Sequence, residues 1–269
     1  MLQSVRAVLT LYLIHDGCNG CNARNGCNRH LCCNGRSGCG TVPSMDKPLG
    51  MVVALAAEKG GCGKSTLAIN LAACWHDLGL RVLLCDADPQ GTAIQWAEVS
   101  EAAGVRGPSV IAAGDNLRTA LAPLVGQHDV TVIDTPGRMG RRLAAAMMLA
   151  DLVLVPAAPS TADVWALGGL LDTLEQAREP RPALRAALVV NRADGRTRIG
   201  KASTDALAGV TELERCPIAI ATRVAFPEAL AAGQGVTAHA PSSIAALELR
   251  KLADWCADAL RLYRDGAAA

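Results

Sequence analysis

Aromatic residues, net charge and long apolar segments are all scarce in this chain of 269 residues. Phe, Trp and Tyr together make up 3% of the sequence, so a core has to be built from Ala, Leu and Val. The formal net charge of +1 excludes a bulk electrostatic attraction to nucleic acid or to a membrane surface. No apolar run reaches the roughly 18–20 residues of a membrane span, and no convincing signal-peptide cleavage site follows the apolar stretch Val5–Ile14. We therefore predict a cytoplasmic protein.

Aliphatic residues are abundant, and their spacing predicts the fold class. Hydrophobic residues make up 51% of the chain, which suffices for one sizeable core. Apolar, β-prone runs begin near positions 51, 81, 129, 151, 184 and 217, and helical patterns occur between and after them. This alternation predicts an α/β protein, a three-layer sandwich in which a doubly wound, mostly parallel sheet carries helices on both faces.

Cysteine is concentrated at the N-terminus. Six of the 11 cysteines lie between Cys18 and Cys39, in a segment rich in Asn and Gly that has too few apolar residues for a core. We predict that residues 1–50 are a disordered extension or a wrongly included leader upstream of a start at Met45 or Met51. The alternative is a metal knuckle formed by Cys18, Cys21, Cys27, His30, Cys32 and Cys33. The other five cysteines are expected to be small buried residues of a single domain at 51–269.

The nine residues from Glu58 to Thr66 are the strongest functional signal. They read Glu-Lys-Gly-Gly-Cys-Gly-Lys-Ser-Thr, after the predicted strand at 51–57 and before a helical pattern that ends at Gly79. Strand, glycine-rich loop and helix are the context of a phosphate-binding P-loop, because backbone N–H groups and the helix dipole point at the anion. Lys64 is placed to reach the β- and γ-phosphates, and the Ser65 hydroxyl to bind Mg²⁺. The predicted nucleotide-binding residues are Gly60, Gly61, Cys62, Gly63, Lys64, Ser65 and Thr66.

Two later segments supply carboxylates. Asp86 and Asp88 follow the run that begins near 81, and Asp134 closes the run that begins at 129. Because ligands of parallel sheets bind beyond the carboxyl ends of the strands, these acids are expected beside the P-loop. Asp134 is predicted to bind Mg²⁺ in the manner of a Walker B strand, with residues 135–137 sensing the γ-phosphate. An ordinary turn is the alternative for the segment at 88–91.

Lys59, which precedes Gly60, departs from the general P-loop pattern. Together, Lys-Gly-Gly-Cys-Gly-Lys-Ser-Thr, Asp-Ala-Asp-Pro-Gln and Val-Ile-Asp-Thr-Pro resemble the ordered motifs of the ParA/MinD family, including its deviant Walker A motif. The resemblance covers residues 51 to about 264 and is most specific to small plasmid-partition ParA proteins of the ParF type. It implies a P-loop NTPase fold of the SIMIBI type, with ATP and Mg²⁺ as cofactors.

The resemblance also implies roles for individual residues. Catalytic roles fall on Lys59, Lys64 and Asp88. Lys59 reaches across a nucleotide-sandwich dimer to the partner's phosphates, and Asp88 positions or activates the attacking water. Asp86 is implied to help organise Mg²⁺, together with Ser65 and Asp134. Asn191 is implied to face the adenine base, and a turn or capping role is its alternative.

The function implied by the resemblance is ATP-driven DNA segregation. ATP forms a homodimer, the dimer binds nonspecific DNA, and a ParB- or ParG-type centromere-binding adaptor stimulates slow hydrolysis and release. Such a protein is associated with the nucleoid and needs no membrane. The candidate DNA contacts are Arg196, Arg198, Lys201 and Arg223. A solvated charged face is the alternative, since residues 51–269 carry 21 basic and 23 acidic side chains.

Other activities on this fold make different demands on the sequence. A MinD-like membrane-cycling ATPase needs an amphipathic C-terminal anchor, whereas the pattern from Ile244 to Leu262 predicts a packed helix. An ATP-dependent amide ligase of the cobyrinate type is expected to need a substrate domain. A tyrosine autokinase needs a C-terminal tyrosine cluster, and only Tyr263 is present there. A nitrogenase-type reductase needs switch-loop cysteines, which positions 138–148 lack.

Overall fold

A parallel sheet runs through the part of the chain that the structure describes. The structure is a computed structural model, and it describes residues 50–267 apart from 115, 139, 194–206 and 208. The predicted N-terminal extension, its alternative metal knuckle, and Arg196, Arg198 and Lys201 lie outside the described residues.

Eight strands form this sheet. They are β1 (Met51–Leu55), β2 (Val82–Asp86), β3 (Ser109–Ala112), β4 (Val130–Asp134), β5 (Leu152–Ala157), β6 (Arg185–Ala193), β7 (Glu214–Arg215) and β8 (Ile220–Ala221). The order is β3-β2-β4-β1-β5-β6-β7, β8 also pairs with β6, and every pair is parallel. The predicted fold class is therefore confirmed. No residue of the unpredicted strands β3 and β7 is fully buried, so these strands lack the buried apolar run that marks a central strand.

Helices connect the strands. They are α1 (Lys64–Asp77), α2 (Thr92–Ala102), α3 (Leu117–Val125), α4 (Arg141–Leu149), α5 (Thr161–Trp165), α6 (Leu167–Arg178), α7 (Ala225–Ala231), α8 (Val236–His239) and α9 (Ile244–Ala267). Two helices lie between β5 and β6, since α5 ends at Trp165 and α6 begins at Leu167.

Two hydrophobic layers cover the faces of the sheet. Residues of β1 alternate between them: Val53 and Leu55 belong to one layer, and Val52 and Ala54 to the other. Helices α1 and α9 pack on the first layer, whereas α4 and α6 pack on the second. Small side chains fill much of both layers, as the scarcity of aromatic residues requires.

The register brings the carboxyl ends of three neighbouring strands together. Leu55 of β1 pairs with Asp134 of β4, and Asp134 in turn pairs with Asp86 of β2. The loop after β1 is the predicted P-loop. Two predicted acids thus lie side by side at the edge where ligands of parallel sheets bind.

Candidate phosphate-binding site

The loop between β1 and α1 has a backbone that only glycine accommodates well. Gly61 and Gly63 have φ angles of 80° and 93°, in the left-handed region. A Cβ at Gly63 would lie 2.3 Å from Nδ2 of Asn191. In the described structure no side chain caps the N-terminus of α1, which begins at Lys64. Its first N–H groups are therefore positioned to bind an anion.

Lys64 lies inside this loop. Its side chain is 5% exposed, and its Nζ donates to the carbonyl oxygen of Lys59 at 3.1 Å. Nζ also lies 3.8 Å from Sγ of Cys62, which itself donates to the same carbonyl at 3.3 Å. Among the described residues Lys64 has no carboxylate within ion-pairing distance. A buried ammonium in such surroundings favours an anionic ligand.

Cys62 is a buried free cysteine, which agrees with the prediction that it is a small buried residue.

The carboxylate of Asp134 is buried without hydrogen-bond partners among the described residues. It is fully buried, and neither carboxylate oxygen has a hydrogen-bond partner of good geometry among the described residues. Burial raises the pKa of Asp134 to about 7; the nearby Ser65 hydroxyl lowers this pKa, the Asp86 carboxylate raises it, and the Lys64 ammonium lowers it. A cation would satisfy both oxygens and favour the charged form.

The donor set fits Mg²⁺. Asp134 and Ser65 present oxygen ligands, and Mg²⁺ prefers one or two such protein ligands completed by phosphate and water. The described residues contain no cluster of three or more His, Cys, Asp or Glu side chains that could hold a metal without such help. The site is therefore suited to a metal ion that arrives with a phosphate group.

Asp86 and Asp88 have different environments. Asp86 is buried, and its carboxylate accepts the backbone N–H groups of Asp88, Ala93 and Ile94 at 3.1, 2.9 and 3.1 Å. Burial raises the pKa of Asp86, and these three hydrogen bonds lower it. It fixes the start of α2 and the loop before it, and its role in organising Mg²⁺ stays a prediction. Asp88 is half-buried, and its Oδ1 accepts the N–H of Gln90 at 3.0 Å.

The loop after β4 rests directly on the P-loop. Thr135 donates its hydroxyl to the carbonyl oxygen of Leu55 at 2.6 Å. A Cβ at Gly137 would lie 3.1 Å from Cα of Gly60 and 3.2 Å from Nζ of Lys64. This closeness brings the segment predicted to sense the γ-phosphate against Lys64.

Arg142 links the same region to the loop that carries Asp88, and no motif in the sequence predicted this contact. Its Nη1 donates to the carbonyl oxygen of Ala87 at 3.2 Å, while the N–H of Ala87 donates to the carbonyl oxygen of Asp134 at 2.9 Å. The loops after β2 and β4 are therefore connected by hydrogen bonds.

Lys59 is held by its own chain. Its Nζ forms an ion pair with Oδ2 of Asp163 at 2.9 Å; Lys59 is 45% exposed and Asp163 only 5%. Ser160 caps α5 and also hydrogen-bonds the Asp163 carboxylate. The implied role of Lys59 across a dimer requires this pair to open. Sequence reasoning missed Asp163 as a site residue, although Ser160 three positions earlier is the pattern of a helix cap.

Two further predicted site residues contact the backbone. Asn191 donates from Nδ2 to the carbonyl oxygen of Cys62 at 2.6 Å, so it supports the P-loop, and its contact with adenine stays a prediction. The carbonyl oxygen of Thr66 accepts a hydrogen bond from Asn70 at 2.7 Å inside α1. Arg192, which follows Asn191, is exposed and has a φ of 54°.

The described C-terminal arginines are engaged within the chain. Arg223 donates from Nη2 and Nε to the Glu248 carboxylate at 2.6 and 3.2 Å, and these bonds raise its pKa. Arg250 donates to the carbonyl oxygens of Pro241 and Thr237 at 2.8 and 3.2 Å. Arg223 thus has to share or give up its partner to contact DNA, and its role there stays a prediction.

The last helix packs against the body of the domain. The buried residues of α9 contact α1 and the sheet, as the packed-helix prediction requires. None of the helices in the described ranges combines the length and the apolar character that crossing a bilayer demands.

Comparison with known proteins agrees with the geometry. Residues 53–236 match the family model described as "CobQ/CobB/MinD/ParA nucleotide binding domain". The chain is 33% identical over 172 residues to maintenance of carboxysome distribution protein A from Halothiobacillus neapolitanus, covering 63% of this chain and 76% of that protein. It is 32% identical over 232 residues to the chromosome-partitioning ATPase Soj from Thermus thermophilus, covering 75% and 93%.

A solved structure gives a similar result. The fold superposes on cobyrinic acid a,c-diamide synthase from Mycobacterium smegmatis with bound ATP analog and magnesium, at a TM-score of 0.63 and 25% identity. This match covers 77% of the present chain and 93% of that chain.

Proposed function

Because this chain belongs to the CobQ/CobB/MinD/ParA nucleotide-binding family, we propose that it is a partition-type ATPase that pairs on binding ATP and positions a cargo. The named activities of its relatives, chromosome partitioning and carboxysome distribution, are both positioning functions. We propose that the cargo is DNA, recognised through a ParB- or ParG-type adaptor, and that the ATP-bound pair holds nonspecific DNA in the nucleoid.

The residues of the site support ATP and Mg²⁺ as its ligands. The N–H groups of the P-loop and the Lys64 ammonium would bind the β- and γ-phosphates, and Asp134 and Ser65 would hold Mg²⁺. When bound, Mg²⁺ neutralises charge on the phosphates. Asp88 orients the attacking water, and Asp86 and Arg142 fix the backbone of the Asp88 loop. The loop at 135–137 contacts Lys64 and transmits the state of the γ-phosphate.

The second lysine is the observation that carries this proposal. Lys59 belongs to the P-loop, yet its ammonium pairs with the carboxylate of Asp163. A lysine that is nearly half exposed beside the site is able to contact the phosphates of a second copy. Slow basal hydrolysis follows, since the catalytic arrangement is complete only in the pair.

Pairing can be measured directly on the full chain. Light scattering after gel filtration is expected to give the monomer mass with ADP and the dimer mass with a non-hydrolysable ATP analogue and Mg²⁺. The Lys59→Ala variant should still bind the analogue and remain monomeric. The Asp88→Ala variant should pair with ATP, lose hydrolysis and stay on DNA. A wild-type protein that remains monomeric with saturating analogue contradicts the proposal.

DNA binding needs its own test because the basic patch is only partly described. The ATP-bound pair is expected to bind random duplex DNA with an affinity that falls steeply as salt rises. Replacing Arg196, Arg198 and Lys201 together by Ala should weaken binding more than Arg223→Ala, because Arg223 is already paired with Glu248. Equal binding to DNA with ADP and with ATP would instead separate DNA from the nucleotide cycle.

An ATP-dependent amide ligase is the second candidate. The observation that favours it is the match to the diamide synthase structure over 93% of that chain, which removes the expected need for a large substrate domain. Incubation with ATP, Mg²⁺, an amide donor and corrinoid carboxylates, followed by mass spectrometry, distinguishes the two. An amide product that requires Lys64 would favour the ligase.

A further inference from the structure

The peptide group between Ala87 and Asp88 is held at both of its polar atoms. Its N–H, which belongs to Asp88, donates to Oδ1 of Asp86 at 3.1 Å, and its carbonyl oxygen, which belongs to Ala87, accepts from Nη1 of Arg142 at 3.2 Å. The N–H of Ala87 donates in turn to the carbonyl oxygen of Asp134 at 2.9 Å. The orientation of this peptide group sets the direction in which the Asp88 side chain leaves the backbone.

Arg142 differs from the other partners of Asp88 because it comes from a distant part of the chain. The Asp88 N–H binds Asp86, and the Asp88 carbonyl oxygen accepts the N–H of Gly91 at 3.0 Å, so both bonds are local to the turn. Arg142 lies 55 residues from Ala87, in the first turn of α4. Ala87 is fully buried, and the described residues offer its carbonyl oxygen no second donor. Loss of the guanidinium would therefore leave a buried acceptor unpaired.

The helix that carries Arg142 begins shortly after the loop that is predicted to sense the γ-phosphate. This loop, residues 135–137, follows β4, and α4 begins at Arg141. A Cβ at Gly137 would lie 3.2 Å from Nζ of Lys64, so the loop lies against the site where phosphate is proposed to bind. A ligand that moves this loop would also move the start of α4. Arg142 would carry that displacement to the carbonyl oxygen of Ala87.

We propose that Arg142 is a positioning residue for ATP hydrolysis, which fixes the placement of Asp88 and makes it depend on the loop at 135–137. The inference rests on the proposed function, because it assumes that Asp88 orients the attacking water. Arg142 acts through the peptide backbone and needs no contact with the nucleotide. A guanidinium suits this role, since it presents its N–H donors in a rigid planar arrangement.

The rate of hydrolysis should be sensitive to this hydrogen bond. Displacing a catalytic group by about 1 Å can lower a rate about 100-fold. Arg142→Ala is therefore expected to lower kcat for ATP hydrolysis about ten- to a hundredfold. The KM for ATP and the affinity for a non-hydrolysable analogue should change less than about twofold, because a residue that acts only on the catalytic step leaves ground-state binding intact.

The neighbouring arginine provides a matched control. Arg141 has the same charge and lies in the same turn of α4, but it is exposed. Arg141→Ala should keep the kcat of the wild type, which separates the loss of the hydrogen bond from the loss of a positive charge. Arg142→Lys keeps the charge and a single donor group, and should recover part of the rate.

Phosphate release by the full chain, with saturating ATP, Mg²⁺ and random duplex DNA, measures kcat for the three variants. Calorimetry measures their affinity for the analogue, and light scattering shows whether each still pairs with it. Thermal unfolding curves like that of the wild type establish that the variants are folded.

Hydrogen exchange measures the backbone contact without reference to catalysis. The N–H groups of Asp88, Gln90 and Gly91 are all hydrogen-bonded. Arg142→Ala should speed amide exchange at residues 88–91 and leave exchange in β5 as in the wild type. In the wild type, exchange at 88–91 should be slower with the analogue than with ADP. That difference should disappear in Arg142→Ala.

The possible outcomes are distinguishable. A normal kcat in Arg142→Ala, or equal losses in Arg141→Ala and Arg142→Ala, would show that the role of Arg142 is wrong and leave the proposed function standing. Weaker binding of the analogue by Arg142→Ala would assign Arg142 to nucleotide binding and also overturn the inference. Equal exchange at 88–91 with ADP and with the analogue would contradict the coupling. A wild-type protein that binds ATP without hydrolysing it would contradict the proposed function itself.

Discussion

The candidate phosphate site and the C-terminal face, which is the surface around Arg223, Glu248 and Arg250, differ in whether their charged groups have partners. At the phosphate site, the buried carboxylate of Asp134 lacks a hydrogen-bond partner in the described structure, and the buried Lys64 has only a carbonyl and a thiol. At the C-terminal face, Arg223 binds Glu248 through two hydrogen bonds, and Arg250 binds two carbonyl oxygens. Buried charged groups that lack a hydrogen-bond or ion-pair partner indicate a place where a ligand can bind. Charged groups that satisfy each other stabilise the fold without one.

The largest expected effect is a loss of nucleotide affinity when a charged side chain of the candidate phosphate site is removed. Lys64→Ala should weaken ATP–Mg²⁺ binding at least 100-fold, because a desolvated ammonium against phosphate is worth several kcal/mol. Arg250→Ala, the matched change at the C-terminal face, should leave the affinity unchanged. Titration calorimetry measures both. A comparable loss in the two variants would mean that the C-terminal face supports the nucleotide site.

The next largest effect is a pH dependence of protein stability that comes from the buried carboxylate of Asp134. Burial raises its pKa from the ordinary value of 3.8 to about 7. The folded state therefore binds more protons than the unfolded state between these values, so the stability of the nucleotide-free protein falls as pH rises through this window. The fall is on the order of 2–4 kcal/mol, and Asp134→Asn should abolish it.

Urea unfolding at pH 5, 6, 7 and 8 without nucleotide or Mg²⁺ measures this difference. Glu101→Gln removes an exposed carboxylate and serves as the control, which should keep the pH dependence of the wild type. An Asp134→Asn protein with the pH dependence of the wild type would show that the folded protein does not hold the proton on this acid.

The glycines of the phosphate loop give a smaller effect with an internal comparison. Gly61 and Gly63 both have left-handed φ angles, but only Gly63 has an atom in the way of a Cβ, Nδ2 of Asn191 at 2.3 Å. Gly61→Ala is expected to cost about 1–2 kcal/mol of unfolding free energy from backbone strain. Gly63→Ala should cost about 2–4 kcal/mol, and adding Asn191→Ala should recover only the part due to the clash. Urea unfolding measures these losses of unfolding free energy. Equal losses in the two single variants would mean that the Asn191 side chain moves aside at no cost.

The smallest effect tests whether satisfied charges at the C-terminal face can be recruited. Glu248→Gln keeps an oxygen for the N–H of Ala221, which donates to Glu248 at 3.2 Å, but removes the charge that holds Arg223. If this face meets DNA, the ATP-bound pair should bind random duplex about two- to fivefold more tightly, with a salt slope steeper by about one. Adding Arg223→Ala should reverse the gain. An unchanged affinity would exclude this face as a DNA contact.

Local motifs predicted the site better than its connections. The P-loop, Asp86 and Asp134 were predictable because each lies at the end of an apolar run, and parallel strands bring such ends to one edge. The pair of Lys59 and Asp163 was not predictable, since 104 residues separate them. The same holds for Arg223 with Glu248. Strand β3 was missed because it is only four residues long and none of them is fully buried, so it lacks the longer apolar run of the central strands.

The sequence by itself determined the glycine-rich loop, the order of the motifs, and hence the family and the parallel sheet, because these depend on local backbone geometry and on hydrophobic periodicity. Tertiary structure alone decided which charges are satisfied and which are not. It gave Lys59 and Arg223 carboxylate partners. It buried the Asp134 carboxylate without a hydrogen-bond partner among the described residues, and it left the Trp165 side chain exposed to water. The reason is physical: the cost of a charge or an exposed indole depends on the neighbours that folding brings from distant parts of the chain.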